Sequence, residues 1–189
     1  MIERCAVFID GAYLDKCLEY AFKRTRIKFE ELVAELIGDD SLLRAYYYHC
    51  PPYVSQDATD SETYRFENKQ RFFNALGNIP RFQVRLGKLV YRGTTEKGKP
   101  VFVQKLVDVM LAVDMLQLAT TGQLNRAILL AGDNDFVPVV KAVKDCGVIV
   151  TLVHGPQTNG ISVHNQLWDI ADERQQMDSE LIERISLNG

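Results

Sequence analysis

The sequence predicts an α/β fold built on a parallel sheet with helices on both faces. Three observations carry this. The strand-like segments are continuous apolar runs rather than alternating ones, they take turns with segments of helical periodicity, and no repeat, linker or low-complexity stretch interrupts them. At 189 residues and 47% hydrophobic content, the chain suits one full core rather than two.

Each element follows from local pattern. Residues 4–9, RCAVFI, form a short apolar strand ending at Asp10-Gly11, and 12–22 carry Leu14, Leu18 and Phe22 at helical spacing. A second helical pattern over 29–37 stops at Gly38, and the aromatic-rich LLRAYYYHC reads as a strand broken by Pro51-Pro52. A polar loop, 53–60, precedes an amphipathic helix over 61–76. RFQVRLGKLVYRG (81–93) alternates like a strand, and the polar turn TTEKGKP leads into VFVQ, which suggests a hairpin. From Lys105 to Leu118 the pattern is helical and apolar on nearly every side, as expected of a buried helix. Strand 127–131, a helix over 136–145, the apolar strand VIVTLV, a Gly/Pro/Asn loop and a helix over 162–171 complete the pattern, with an acidic segment after Asp169.

Composition limits the functions available. A net charge of −3 gives no global case for a nucleic-acid partner, so that case rests on local charge. Cys5, Cys17, Cys50 and Cys146 have neither CxxC spacing nor a zinc-type Cys/His pattern, and read as buried free thiols of a reducing cytoplasm. No apolar run reaches the ~20 residues of a membrane span, and the N-terminal run is too short for a signal peptide. A cytoplasmic protein without a membrane partner is expected.

In a parallel sheet of this kind, ligands collect outside the carboxyl ends of the strands. Asp10 ends the first strand there, and Asp133 follows the strand that begins near Arg126. Asp135 stands at a helix entry, and Asp108 one turn after Lys105 on the same helix face. Each has a structural reading: Asp10 and Asp135 as helix caps, Asp133 as turn chemistry, Asp108 as a partner of Lys105. Together they place four carboxylates at one edge. Two carboxylates about 4 Å apart repel by roughly 4 kcal/mol at an effective dielectric near 20. An all-oxygen set with no neighbouring histidine or thiol suits a hard cation, Mg²⁺ or Mn²⁺, to offset that repulsion. Asp114 lies about 120° round the helix from Asp108, a position for supporting a ligand rather than being one.

The segments FIDG (8–11), QKLVDVMLAVDM (104–115), LLAGDNDFVPVV (129–140), GVIVTLV and LWDIAD resemble the NYN domain, a branch of the PIN-like nuclease fold, and its LabA-like (DUF88) group in particular. The resemblance spans about residues 4–173, leaving 174–189 as an acidic helix or tail. It implies a three-layer α/β/α sandwich around a mainly parallel sheet, with Asp10, Asp108, Asp133 and Asp135 as metal ligands and catalytic acids, Lys105 as the motif lysine, and RNA as substrate. Leu106 stands where a glycine is common in the family, and Asn134 where a serine is frequent between the paired acids, next to the ligands.

The chemistry expected from this is metal-dependent hydrolysis of RNA at internal phosphodiesters, leaving a 5′-phosphate and a 3′-hydroxyl. His49, His154 and His164 are not spaced as an acid/base pair, and His154 reads as structural. Seven basic residues over 81–105 (Arg81, Arg85, Lys88, Arg92, Lys97, Lys99, Lys105) against Glu96 form a basic strip, with Tyr91 and Phe102 available to stack bases. Arg85, Lys88, Arg92 and Lys105 are therefore expected to bind substrate, with Asn159 and Ser162 of the 155–162 loop reaching a phosphate. A non-catalytic RNA-binding or regulatory module on the same fold is the alternative, and a symmetric homodimer a further expectation. A haloacid-dehalogenase phosphatase, which FIDG and GDND also suggest, needs an aspartate where Ala12 stands.

Overall fold

Six strands lie side by side, every neighbouring pair parallel, in a computed structural model that describes residues 2–95, 98, 100–158 and 160–187. In chain order they are β1 (Arg4–Asp10), β2 (Ser41–His49), β3 (Phe82–Leu86), β6 (Arg126–Leu130), β7 (Ile149–His154) and β8 (Glu173–Gln176), and in space β3-β2-β1-β6-β7-β8. Two further strands, β4 (Lys88–Thr94) and β5 (Pro100–Lys105), form a separate antiparallel ribbon between β3 and the crossover to β6. The chain thus builds outward from β1 in one direction, then returns to build outward from β6 in the other. The place where the order reverses, between the ends of β1 and β6, is where side chains of a parallel sheet leave an open crevice.

The apolar runs explain the layers. Residues 5–9 of β1 and 127–130 of β6 are buried on both sheet faces, as central strands require. One face is covered by α1 (Gly11–Tyr20), α2 (Phe29–Ile37) and α3 (Asp60–Gly77), the other by α4 (Val107–Thr120), α5 (Val137–Asp145) and α6 (Asn165–Ile170). This is the three-layer α/β/α sandwich. Phe29 sits edge-on to Tyr47 and to Phe82, filling the first interlayer with rings, and Phe8 stacks on Tyr46 in the second. The segment beyond residue 173 is built into the same core: β8 pairs with β7, and α7 (Ser179–Arg184) buries Leu181 and Ile182 while Arg184 bridges to Glu35.

Three local expectations change. Residues 81–93 are two strands rather than one, because the chain turns at Gly87, where a Cβ would stand 2.4 Å from the Lys105 carbonyl and 2.7 Å from Val107. Lys105 ends β5 rather than opening a helix, since Leu106 adopts a left-handed conformation (φ 76°) that joins ribbon to α4. And α4 is one-sided: Val107, Leu111, Met115 and Ala119 are buried, whereas Val109 and Val113 are 63% and 57% exposed. Of the cysteines, Cys5, Cys17 and Cys50 are buried free thiols and Cys146 is exposed. Among the described residues no helix is long and apolar enough to cross a membrane.

Candidate active site

The first acid is positioned by a change of residue type. After five fully buried apolar residues, β1 ends in Asp10, and the chain turns at once into α1. The Asp10 Oδ1 caps that helix, accepting from the N–H groups of Ala12 (3.0 Å) and Tyr13 (3.2 Å). Only 9% of Asp10 is exposed. Burial, aided by the negative charge of Asp108, pushes its carboxyl up to about 6 despite the two N–H donors.

The neighbouring strand delivers the second acid at the same level. Leaving β6, the chain passes through Ala131 and Gly132 to Asp133, whose Oδ1 accepts from the Asp135 N–H at 3.1 Å and so starts a single 3₁₀ turn, Asn134–Phe136, ahead of α5. Gly132 is needed for close approach: a Cβ there would lie 2.3 Å from the Tyr13 ring and 2.8 Å from the Ser162 carbonyl. That contact brings α1, the loop after β6 and the 160–164 segment together, and the Gly132 carbonyl accepts from the His164 N–H at 3.0 Å.

Asp108 comes from the other side, in the first turn of α4. Its carboxyl is also raised, first by partial desolvation and then by the charges of Asp133 and Asp135. Three acids on three elements thus share one field. They line a mostly polar cleft of about 520 Å³ at the reversal point of the sheet, together with Lys16, Asn134 and Gln104. Tyr13, Ser162 and His164 complete the wall.

The sequence matches the NYN domain family over residues 4–167. This chain belongs to that family. NYN domains are a branch of the PIN-like nuclease superfamily, and their layered α/β/α architecture is the one seen here. A protein of unknown function from Vibrio parahaemolyticus superposes with a TM-score of 0.65 at 20% identity, over 95% of each chain, which supports the fold alone. A structure from Parabacteroides merdae overlaps with a TM-score of only 0.30 at 11% identity, covering 89% of this chain and 27% of that one. No curated protein matches the chain.

Within this NYN domain the expected residues separate by place. Asp10, Asp108 and Asp133 meet at the cleft with Asn134 and Ser162, while Asp135 stands off the lining and acts on Asp108 only through its charge. The convergence is looser than the sequence suggests: among the described residues no three acid, histidine or cysteine side chains close on one point. The Asp10 and Asp133 carboxylates are drawn back to cap their own turns, and mutual repulsion opposes closer approach. Asp114 lies deeper, accepting from the Tyr48 hydroxyl at 3.0 Å and Arg85 Nε at 3.1 Å, so Arg85 is tied to α4 and packs 5.7 Å from the Tyr46 ring. Arg81 is held by the Leu42 carbonyl. Lys88, Arg92 and Lys105 stand on the ribbon, and Asn159, Lys97 and Lys99 lie outside the described residues.

Lys16, Tyr13 and Gln104 escape the sequence reading. Lys16 follows Tyr13 at i,i+3 on the helix that Asp10 caps, so cap-relative spacing could have placed it at the cleft. Of the histidines, His164 reaches the cleft, whereas His154 is buried with its ring 4.7 Å from Trp168 and its Nδ1 2.7 Å from the Gly155 carbonyl. The donor set nevertheless fits a hard divalent cation. All three acids of the cleft offer oxygen, burial and neighbouring carboxylates raise the proton affinity of Asp10 and Asp108, and the buried Oδ1 of Asn134 has no hydrogen-bond partner while its Nδ2 donates to Gln166.

Proposed function

We propose that this NYN domain, of the LabA-like group, is an endoribonuclease that depends on Mg²⁺ or Mn²⁺ and cuts RNA at the acidic cleft. The observation that carries the reading is the meeting of Asp10, Asp108 and Asp133, from β1, α4 and the turn after β6, at the reversal point of a parallel sheet. Such a cleft repels a phosphodiester unless a cation enters with it. Asp10, Asp108 and Asp133, with Asp135 beside them, would hold the ion. When bound, it would lower the pKa of a water and neutralise charge on the phosphoryl oxygens.

The chain's own groups fit the remaining tasks. Lys16 is exposed on the cleft wall with no carboxylate partner among the described residues, which suits it to hold a phosphate. Ser162 and Gln104 offer neutral hydrogen-bonding groups on either side. No side-chain nucleophile is required for this hydrolysis, and the product ends are a 5′-phosphate and a 3′-hydroxyl.

The test is incubation of the purified protein with labelled single-stranded and hairpin RNA in Mg²⁺, Mn²⁺ or EDTA, beside Asp133→Asn. Cleavage that needs both the metal and Asp133 is expected. Binding without cleavage under every condition would instead identify a non-catalytic RNA-binding module.

A further inference from the structure

The ribbon β4–β5 carries chemistry that the acidic cleft leaves unused. Its register pairs Leu89 with Gln104 and Tyr91 with Phe102, while Lys88 pairs with Lys105 and Val90 with Val103. Because side chains alternate along a strand, Gln104, Phe102 and Tyr91 share one ribbon face, and Lys88 and Lys105 share the other. Gln104 is a wall of the cleft. Phe102 follows it on the same face at about 7 Å, the two-residue repeat of a strand.

Tyr53, from the loop after β2, joins this face. Its ring lies 5.1 Å from Phe102 and 6.3 Å from Tyr91, and Tyr91 lies 5.8 Å from Phe102. The ring planes meet at 39°, 32° and 57°, so the rings form an open step rather than a closed stack. Tyr91 is 45% exposed and Phe102 38%. Tyr91 and Phe102 thus keep part of their ring surface open on an arm that adds nothing to the central sheet, and on the ribbon face that also carries Gln104 of the cleft wall. Among the described residues no carboxylate pairs with Lys88, Arg92 or Lys105, which leaves positive charge on the ribbon for a phosphate backbone.

We infer that Tyr53, Tyr91 and Phe102 form a base-stacking subsite for unpaired nucleotides of an RNA strand that passes through the cleft. The inference rests on the RNA-nuclease reading for the identity of the strand. Stacking on aromatic faces requires a base free of its partner and is indifferent to which base it is. The subsite therefore favours single strands over duplexes at the ribbon side of the cut, whatever the sequence. The lysines on the opposite face add salt-dependent attraction without discriminating between strands.

The experiment measures binding by fluorescence anisotropy in Ca²⁺, which offsets the charge of the acids, with a gel of each probe run alongside to show that it stays uncut. The probes are a labelled single-stranded RNA, the same strand with abasic sites, and a blunt RNA duplex, on the natural protein, Phe102→Leu and Tyr91→Leu, with thermal melts alongside. Leucine keeps the apolar contact with Tyr53 but has no ring face. The natural protein is expected to bind the intact strand roughly tenfold more tightly than the abasic one, the scale of one stacked base, and either variant to lose that preference at an unchanged melting temperature. Equal binding of intact and abasic strands by the natural protein would overturn the subsite even if the variants misfold, as would leucine variants that fold normally and keep the preference. The two readings fail separately: cleavage without base preference removes the subsite and leaves the nuclease, whereas base-dependent binding without cleavage in any metal does the reverse.

Discussion

Arg85 and Asp114 are joined at 3.1 Å, so that the edge strand β3 is fastened to the helix whose first turn carries Asp108. Tyr48, fully buried, donates to the same Asp114 oxygen. Asp10, Tyr48 and Arg85 are register partners across β1, β2 and β3, and Asp114 closes that row from above. Removing it with Asp114→Ala leaves a buried hydroxyl unpaired and is expected to cost about 1–3 kcal/mol. Arg85→Ala is expected to cost under about 1 kcal/mol, since the guanidinium is 41% exposed and screened. Urea unfolding of both variants checks the order. A larger loss for Arg85→Ala would refute it.

Asp10 gives the metal-free protein a pH dependence of definite sign. Its carboxyl is raised in the folded state to about 6 from an ordinary value near 3.8, so the fold prefers it neutral. Below pH 4 it is protonated in both states and exacts no penalty. As pH rises from 4 through 6 the folded state must ionise a buried acid, and stability falls by up to about 3 kcal/mol, complete above pH 6. Asparagine also caps helices, so Asp10→Asn is expected to flatten this fall and to be the more stable protein at pH 7.5. Unfolding midpoints in EDTA between pH 4 and 8 measure both curves.

Repulsion among the acids predicts a second stability signature. The charge of Asp133 raises the Asp108 carboxyl, so Asp133→Asn should leave the metal-free protein as stable as before or slightly more so. The same substitution should abolish the rise in melting temperature that Mn²⁺ confers on the natural protein by binding its folded state. A large loss of stability in EDTA would mean that the Asp133 cap on the 3₁₀ turn outweighs the repulsion.

Gly132→Ala tests the junction of α1 with the site. The added methyl meets the Tyr13 ring, whose hydroxyl accepts from the Gly155 N–H at 3.2 Å, so displacing the ring disturbs a second contact. A loss of about 1–3 kcal/mol is expected from overpacking, together with reduced cleavage. Combining it with Tyr13→Leu should recover part of that loss. Strict additivity in the double-mutant cycle would show that the two residues do not collide.

Lys16→Gln should raise KM for RNA several-fold with little change in kcat or melting temperature, as for a group that holds the phosphate equally in ground and transition states. A fall in kcat at constant KM would place Lys16 at the reacting phosphoryl group instead.

How far the sequence reveals this molecule depends on the kind of information each residue carries. The central strands are legible because residues such as 5–9 and 127–130 must be apolar on both faces. Their terminal acids are legible because a carboxylate that follows a buried apolar run falls at the carboxyl edge of a parallel sheet, although Asp10 and Asp133 also cap their own turns. β8, with the sequence ERQQ, has no apolar pattern, since an edge strand joins a sheet through its backbone alone. The start of α4 is displaced because a left-handed Leu106 has no signature in residue type. The exposed Val109 and Val113 show that mean apolarity does not say which side of a helix faces water. Gln104 and His164 reach the cleft only through the packing of distant segments, which spacing does not encode.

The strand order also fixes when the cleft can exist during synthesis. A nascent chain that has emerged as far as Thr120 already holds β1, β2 and β3, and with them Asp10 and Asp108, but one long edge of β1 is still bare because its partner β6 has not been made. Asp133 arrives with β6, and its insertion beside β1 adds the third acid to the field that Asp10 and Asp108 share. Pairing so distant in sequence is slow compared with local helix formation. A chain that stops short of β6 thus has an unpaired β1 edge and lacks Asp133, so the three-acid cleft cannot form until more than two-thirds of the polypeptide has left the ribosome.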